Sequence, residues 1–452
     1  MSKYRICLIN PDAPGLQDKL AYPPIGLLYI AASLEEYGFD VSYVNFCEDA
    51  EKEIPDAEIY GISIHSIAVL KESFKIAERI KKEKGRNALV VGGGACASSY
   101  FLRVLDENLI DIAVIGEGEM TMLDIAKGVP LDEIRGIAYR RGKEICINAP
   151  RPFIKNLDIL PFPARHLVPI NILKSKSGVH GEKGVDTTSI ITSRGCPYKC
   201  AYCDTNHWKR IYRPRSAQNV ADEVRHIKET YDIHHLRFMD DTYTLDSKRV
   251  MEISKKLMPL NITYIAISRA DRVDRETLRM MKKSGCEELL IGVETGSEEL
   301  LKRMNKGETL DHYRNAIREI KNAGIRTKVF ILFGFPGENR KTVEETKAFL
   351  EETQPDKVHM STFIPLPGTD VWNNPEKYGV TIDKEDLENY WFYWEPDDID
   401  KGFVAKNRNT FELMRLRSEM ITYLRNEEWK YENIAARTRK NRYSGFTASK
   451  LA

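Results

Sequence analysis

Short β-rich runs alternate with amphipathic helical runs along two long tracts of this 452-residue chain, and that alternation constrains the fold more than any other feature. In the first tract the β-rich runs are Arg5–Asn10, Val41–Val44, Ile59–Ile64, Ala88–Val91 and Asp111–Ile115. Between the first two, Ile25 to Tyr37 has helical apolar spacing and stops at Gly38, a residue suited to a helix C-terminus. Strands separated by helices of this length imply a parallel sheet covered on both faces. Residues 1–150 are therefore expected to form an α/β unit with a Rossmann-like, flavodoxin-type parallel sheet. Ligands of such sheets sit beyond the carboxyl ends of the strands. The segments Ser63–Ala68, Gly92–Ser98 and Gly116–Glu119 all follow strand ends and should crowd one rim.

A hairpin pattern over Gly136–Ala149 and a linker over 151–185, marked by Leu160-Pro161-Phe162-Pro163-Ala164, separate this unit from the second tract. Residues 186–380 alternate again, with β-rich runs at Ser189–Thr192, Leu236–Met239, Ile262–Ala266, Leu289–Val293, Lys328–Leu332 and Lys357–Met360. Six βα units predict a partial (β/α)6 barrel with its chemistry at the carboxyl ends of the strands. Residues 381–452 read as a small helical C-terminal region, opened by the aromatic run Tyr390-Trp391-Phe392-Tyr393-Trp394. That run suits either a substrate lid or a packed core.

Lys plus Arg number 68 against 67 for Asp plus Glu, so no net field recruits nucleic acid or anionic lipid. No apolar run reaches membrane-spanning length. The chain enters a strand-like run directly after Met1, without a signal-peptide pattern. Eight cysteines, scattered apart from one cluster, suit a reducing compartment, so a cytoplasmic protein is expected.

That cluster is Cys196-Pro197-Tyr198-Lys199-Cys200-Ala201-Tyr202-Cys203, directly after the first strand of the second tract. The spacing lets one loop aim three thiolates at a single 4Fe–4S cube. Such cubes are commonly held by four cysteines, so three ligands leave one iron open to a substrate or cofactor. A zinc site with His207 nearby is the alternative, although zinc favours paired spacing.

With these residues in place, the chain resembles the radical S-adenosylmethionine (SAM) superfamily over about residues 186–370, motif by motif and in order. The resemblance implies that the open iron chelates the methionine amino and carboxylate groups of SAM, and that reduction releases a 5′-deoxyadenosyl radical. It places Asp240 and Asp241, in Met239-Asp240-Asp241, near the SAM ammonium, although Asp also suits a helix N-cap. Arg269, in Ser268-Arg269-Ala270-Asp271, is implied for the methionine carboxylate, with a rim ion pair to Asp271 as the competing account. Glu294, in Gly292-Val293-Glu294-Thr295-Gly296, is implied for the ribose hydroxyls. Tyr202 and the segment Phe333–Glu338 are implied on the adenine side.

The front unit resembles the cobalamin-binding domain that precedes many radical SAM cores, through Asn10-Pro11, Tyr22–Leu27, Gly61-Ile62-Ser63, Gly92-Gly93-Gly94 and Gly116-Glu117-Gly118-Glu119. Ser63, His65, Gly92, Gly93, Gly116 and Glu117 are implied as cobalamin contacts, with glycines admitting close backbone approach. The Asp-x-His-x-x-Gly cobalt-ligating string is absent, and Cys96 stands where relatives often carry histidine. His65 lies where a residue beneath the cobalt would sit, although a histidine at a strand end more often caps a turn or points inward.

The resemblance implies an enzyme with a 4Fe–4S cluster, SAM and cobalamin, fed by an electron donor such as flavodoxin or ferredoxin. The expected activity is C-methylation of an unactivated carbon of a small molecule or lipid, consuming two SAM molecules, one cleaved and one that remethylates cobalt. A radical dehydratase or cyclase acting on a sugar or natural-product intermediate is the alternative. An iron–sulfur or corrinoid carrier is the non-enzymatic one. Neither nucleic acid nor a membrane span is expected.

Overall fold

The structure is a computed structural model that describes residues 4–13, 19–20, 22–49, 51–176, 184–382, 405–406, 410–426 and 430–431. The front sheet contains β1 (Arg5–Asn10), β2 (Asp40–Asn45), β3 (Ile59–Ser63), β4 (Leu89–Gly93), β5 (Ile112–Val114), β6 (Ile137–Arg141) and β7 (Glu144–Ile147), in the order β2-β1-β3-β4-β5-β6-β7. The first five are parallel, in the 2-1-3-4-5 order of flavodoxin-type sheets. β6 and β7 form the expected hairpin. It pairs antiparallel to β5 and lengthens the sheet at its edge, rather than standing apart as a divider. Alternate faces of these strands enter two apolar clusters, one around Ile62, Val90 and Ala113, the other around Ile6, Leu8 and Val91.

The second sheet is built from β8 (Thr187–Ile190), β11 (His235–Phe238), β12 (Thr263–Ser268), β13 (Cys286–Glu294), β14 (Arg326–Phe333) and β15 (Lys357–Thr362). All six pair in parallel, in sequence order, as a partial barrel requires. The C-terminal strand β18 (Lys430–Tyr431) adds a seventh beside β15, which the six-unit expectation did not include. Its two residues are too few to carry a periodic signal. The intervening helices are amphipathic and capped. The helix Ala217–Tyr231 starts at Ser216, whose side chain accepts from the Asn219 N–H, and ends at Asp232 in the left-handed region. In the C-terminal region the described residues include the helix Thr410–Asn426, while the aromatic run Tyr390–Trp394 lies outside them. Among the described residues no helix is long and apolar enough to cross a membrane.

A small ladder positions the cysteines. β9 (Ser193–Arg194) pairs antiparallel with β10 (Arg213–Pro214), so the segment between them is a loop closed at its stem. The carboxyl ends of the front sheet and of the barrel face one another across this stem, as the mixed lining of the cavity between them records.

Candidate active site

The cysteine loop leaves its stem through Gly195, at φ +84°, where a Cβ would lie 2.2 Å from the Ile211 carbonyl oxygen. Only glycine fits there. Beyond it, Cys196, Cys200 and Cys203 line one cavity of about 310 Å3 at the carboxyl ends of the barrel strands. Thr242 Oγ1 lies 3.6 Å from Cys196 Sγ, and Arg269 NH1 lies 3.8 Å from Cys200 Sγ. Burial pushes the Cys200 thiol pKa up, while Lys306 and Arg269 oppose that rise. Among the described residues no three His, Cys, Asp or Glu groups are gathered closely enough for a single metal ion.

The same cavity is walled by Tyr202, Asp241, Arg269, Glu294 and Lys306. Arg269 is nearly buried and fixed on several sides. Its Nε donates to Asp271 at 3.0 Å, NH2 donates to the Lys306 carbonyl at 2.9 Å, and the guanidinium covers the Tyr198 ring at 3.5 Å. The rim ion pair to Asp271 is present, and Arg269 also lines the cavity. Glu294 has φ +68° at a register shift between β13 and β14, a conformation uncommon for a side-chain-bearing residue. The Tyr202 and Phe335 rings lie nearly perpendicular, with centroids 6.3 Å apart.

Asp240 and Asp241 have different surroundings. Asp240 is 1% exposed and accepts from Thr192 N at 2.6 Å, Thr192 Oγ1 at 2.5 Å and Ser193 Oγ at 2.6 Å. Its carboxylate staples the stem of the cysteine loop and lines neither cavity. Asp241 opens into the cleft, where surrounding protein, with Asp240 and Asp204 adding to it, pushes its pKa up to about 6. Its side chain lines both the cluster cavity and a second cavity.

That second cavity, about 320 Å3, lies between the two sheets. Ser63, Gly93, Gly94, Gly116 and Glu117 line it from the front rim, as the strand-end reading required, and Ile191, Arg194, Trp208 and Met239 close it from the barrel. Gly26 also lines it, and a Cβ there would meet nothing within 4 Å. Gly94, at φ +122°, has no such room, since a Cβ would lie 2.8 Å from the Ile64 backbone. Gly92 is turned the other way, toward Ile64 and Val104 in the core, and His65 is exposed without lining either cavity. Protein around His65 holds its imidazole pKa below the usual value. Cys96 is buried in the apolar core.

Comparison with known proteins gives these two cavities a family. The profile described as the radical SAM superfamily matches residues 190–350, and the one described as a B12-binding domain matches residues 16–126. An uncharacterized methyltransferase of Pyrococcus horikoshii is 30% identical over 367 residues, covering 77% of this chain and 78% of that protein. The chain belongs to the radical SAM superfamily, in the branch that carries a B12-binding domain. An anaerobic magnesium-protoporphyrin IX monomethyl ester cyclase of Cereibacter sphaeroides is 26% identical over 392 residues, covering 81% of this chain and 62% of the cyclase. The fold matches that of TsrM, a radical SAM methyltransferase of Kitasatospora setae solved with cobalamin and a 4Fe–4S cluster, at a TM-score of 0.68 and 19% identity, over 85% of this chain and 76% of TsrM.

The cofactors of this radical SAM enzyme are a 4Fe–4S cluster, SAM and cobalamin, and its own residues fit them. Three thiols share one cavity with charged groups of both signs, and a glycine-rimmed cavity opens beyond the front strands. Two charged residues beside the cysteine-lined cavity carry no motif of their own in the sequence. Lys306 donates to Glu294 Oε1 at 3.0 Å and to the Gly292 carbonyl at 2.6 Å, and the fully buried Glu308 carboxylate lies 3.4 Å from Lys306 and 3.5 Å from Arg269. Only their position just after the helix Glu298–Arg303, one turn beyond the Glu294 strand, could have flagged them.

Proposed function

We propose that this enzyme methylates an unactivated carbon of a small molecule or lipid held where the two cavities meet. The observation that carries this reading is that one side chain, Asp241, stands on the wall of both cavities, so a substrate there is reached from both sides. Bound at these sites, the cluster would supply the electron that splits SAM into methionine and a 5′-deoxyadenosyl radical, and the corrinoid would supply the methyl group.

The protein's part is to hold, orient and exclude water. Cys196, Cys200 and Cys203 anchor the cube. Asp241 rather than Asp240 takes the SAM ammonium, because the Asp240 oxygens are already hydrogen-bonded to Thr192 and Ser193. Arg269 and Lys306 present positive charge to the methionine carboxylate, Glu294 takes the ribose hydroxyls, and Tyr202, backed by Phe335, packs on the adenine side. Ser63, Gly93, Gly94, Gly116 and Gly26 receive the corrinoid, while Gly92 serves by packing the sheet beneath them. A low-potential donor such as flavodoxin or ferredoxin delivers electrons in a reducing cytoplasm.

The second reading is cyclisation or dehydration by the same radical without methyl transfer, favoured by the name of the Cereibacter relative. Anaerobic reconstitution with iron, sulfide and hydroxocobalamin, followed by SAM and dithionite, separates the two. Methyl transfer requires S-adenosylhomocysteine to form together with 5′-deoxyadenosine. Deoxyadenosine without S-adenosylhomocysteine overturns methyl transfer in favour of the second reading.

A further inference from the structure

The stem of the cysteine loop is held by the other domain. Arg194 and Arg213 are register partners across the β9–β10 ladder, on either side of the segment that carries all three cysteines. Arg194 NH1 and Arg213 NH1 each donate to the same oxygen, Glu117 Oε1, at 2.7 Å. Arg194 NH2 donates to Glu119 Oε1 at 2.5 Å. The remaining Glu117 oxygen accepts from the Ile154 N–H at 2.7 Å. Burial works against the Arg194 charge, yet Glu119 and Glu117 more than offset it and hold its pKa above the ordinary value.

These four side chains are all nearly buried, and aromatic rings enclose them. Arg194 lies over Tyr29 and Trp208, and Arg213 over Phe153 and Trp208. Tyr29, from the front helix Ile25–Glu36, also accepts from Arg215 NH1 at 3.1 Å, one residue beyond β10. Glu117, Glu119, Arg194, Tyr29 and Trp208 at the same time form a continuous part of the corrin-side cavity wall. Arg194 is separated from the first cluster cysteine by Gly195 alone.

We propose that Glu117 and Glu119 are positioning residues for the iron–sulfur loop, and that through them cluster retention and corrinoid retention depend on one another. A molecule seated in the corrin-side cavity fixes the wall that grips both stem arginines. A loop ordered around iron fixes those arginines, and hence the wall. Thermodynamic linkage makes the effect equal in both directions. The two carboxylates thus act on the cluster through the stem and touch no reacting atom. This inference rests on the cofactor reading above.

The test measures that interdependence in the folded full-length chain. The dissociation constant of hydroxocobalamin is determined for cluster-free protein and for protein reconstituted with iron and sulfide. The rate of iron loss to a chelator is measured with and without hydroxocobalamin. The wild-type chain is expected to bind hydroxocobalamin at least about fivefold more tightly when it carries the cluster, and to release iron more slowly when corrinoid is present, by a factor that equilibrium linkage does not fix. In the Glu117→Gln/Glu119→Gln double variant both ratios should fall to about twofold or less, with unchanged circular dichroism. Arg194→Lys, which keeps the charge but not the forked geometry, should fall between them. Equal hydroxocobalamin affinity in the two wild-type preparations overturns the proposal without any variant, as does wild-type coupling in the double variant. Should the double variant not fold, Glu119→Gln alone, which leaves the Glu117 contacts in place, must still lower both ratios. A wild-type chain that takes up no iron or no corrinoid overturns the cofactor reading and this coupling together.

Discussion

Lys306 and Glu294 form a nearly buried ion pair on the wall of the cluster cavity, Nζ to Oε1 at 3.0 Å, with Glu308 3.4 Å from the same ammonium. Lys306 therefore serves both carboxylates, which face little water, and Arg269, 3.5 Å from Glu308, supplies the second positive charge. Removing one partner of a buried pair typically costs about 3–5 kcal/mol, because the charge left behind is uncompensated. Lys306→Met should lower unfolding stability by that order and weaken SAM binding at least about tenfold. Lys306→Arg should recover most of the stability. Chemical denaturation and equilibrium dialysis with labelled SAM measure the two effects.

Gly26 occupies the first turn of the helix Ile25–Glu36, lines the cavity between the two sheets and has open space where a Cβ would be. A Cβ there meets no protein atom within 4 Å, which leaves room for a larger side chain on the cavity wall. Gly is about 1 kcal/mol worse than Ala within a helix, so a leucine would aid the helix itself. Gly26→Leu should therefore leave thermal stability unchanged or raised while hydroxocobalamin retention after desalting falls sharply. A stable variant that retains the corrinoid would show that this cavity is not where it sits.

Both parallel sheets were legible because alternation of strand and helix is a local, periodic signal repeated unit after unit. The cysteine loop was legible because its spacing is local too. What lay hidden depends on contacts distant in sequence. Glu117 reads as one more residue of a glycine-rich cobalamin motif, yet its partners Arg194 and Arg213 lie 77 and 96 positions away. Asp240 and Asp241 are adjacent and chemically alike, so only the fold separates the staple of the loop stem from the residue that opens onto both cavities. Lys306 carries no motif, and its meaning comes from the strand end it folds back against.

Glu338, in the turn after β14, is buried with its carboxylate accepting from the Gly334 N–H. Burial raises its pKa to about 8, against which that hydrogen bond is a smaller opposing effect. The folded state thus keeps a proton that the unfolded chain releases above its ordinary pKa near 4.5. Stability is full below that value and is lost as pH rises toward 8, at up to roughly 1.4 kcal/mol per pH unit from this group. Glu338→Gln keeps an acceptor for Gly334 and removes the charge. It should match the wild type near pH 5 and exceed it by a few kcal/mol at pH 8, as read by denaturant titration at the two values.

Asp241 makes the corresponding prediction for binding. Its pKa of about 6 arises first from desolvation by the protein around the cleft, then from the neighbouring carboxylates Asp240 and Asp204, while the Gly195 backbone works in the opposite direction. In the role proposed for Asp241, only the ionised form attracts the SAM ammonium, so affinity should fall as pH drops through that value. Between pH 7.5 and 5.5 the ionised fraction decreases about fourfold, and SAM affinity should weaken by about the same factor. Asp241→Asn should bind more weakly at pH 7.5 and lose the pH dependence over this interval. Asp240→Asn should instead loosen the Thr192–Ser193 stem and show itself in faster iron loss, with the pH dependence of SAM binding still present but displaced to lower pH, since the Asp240 charge no longer raises the Asp241 pKa. Measuring both variants by equilibrium dialysis across the interval distinguishes the two adjacent carboxylates, and a pH slope that survives in Asp241→Asn but vanishes in Asp240→Asn would reverse their roles.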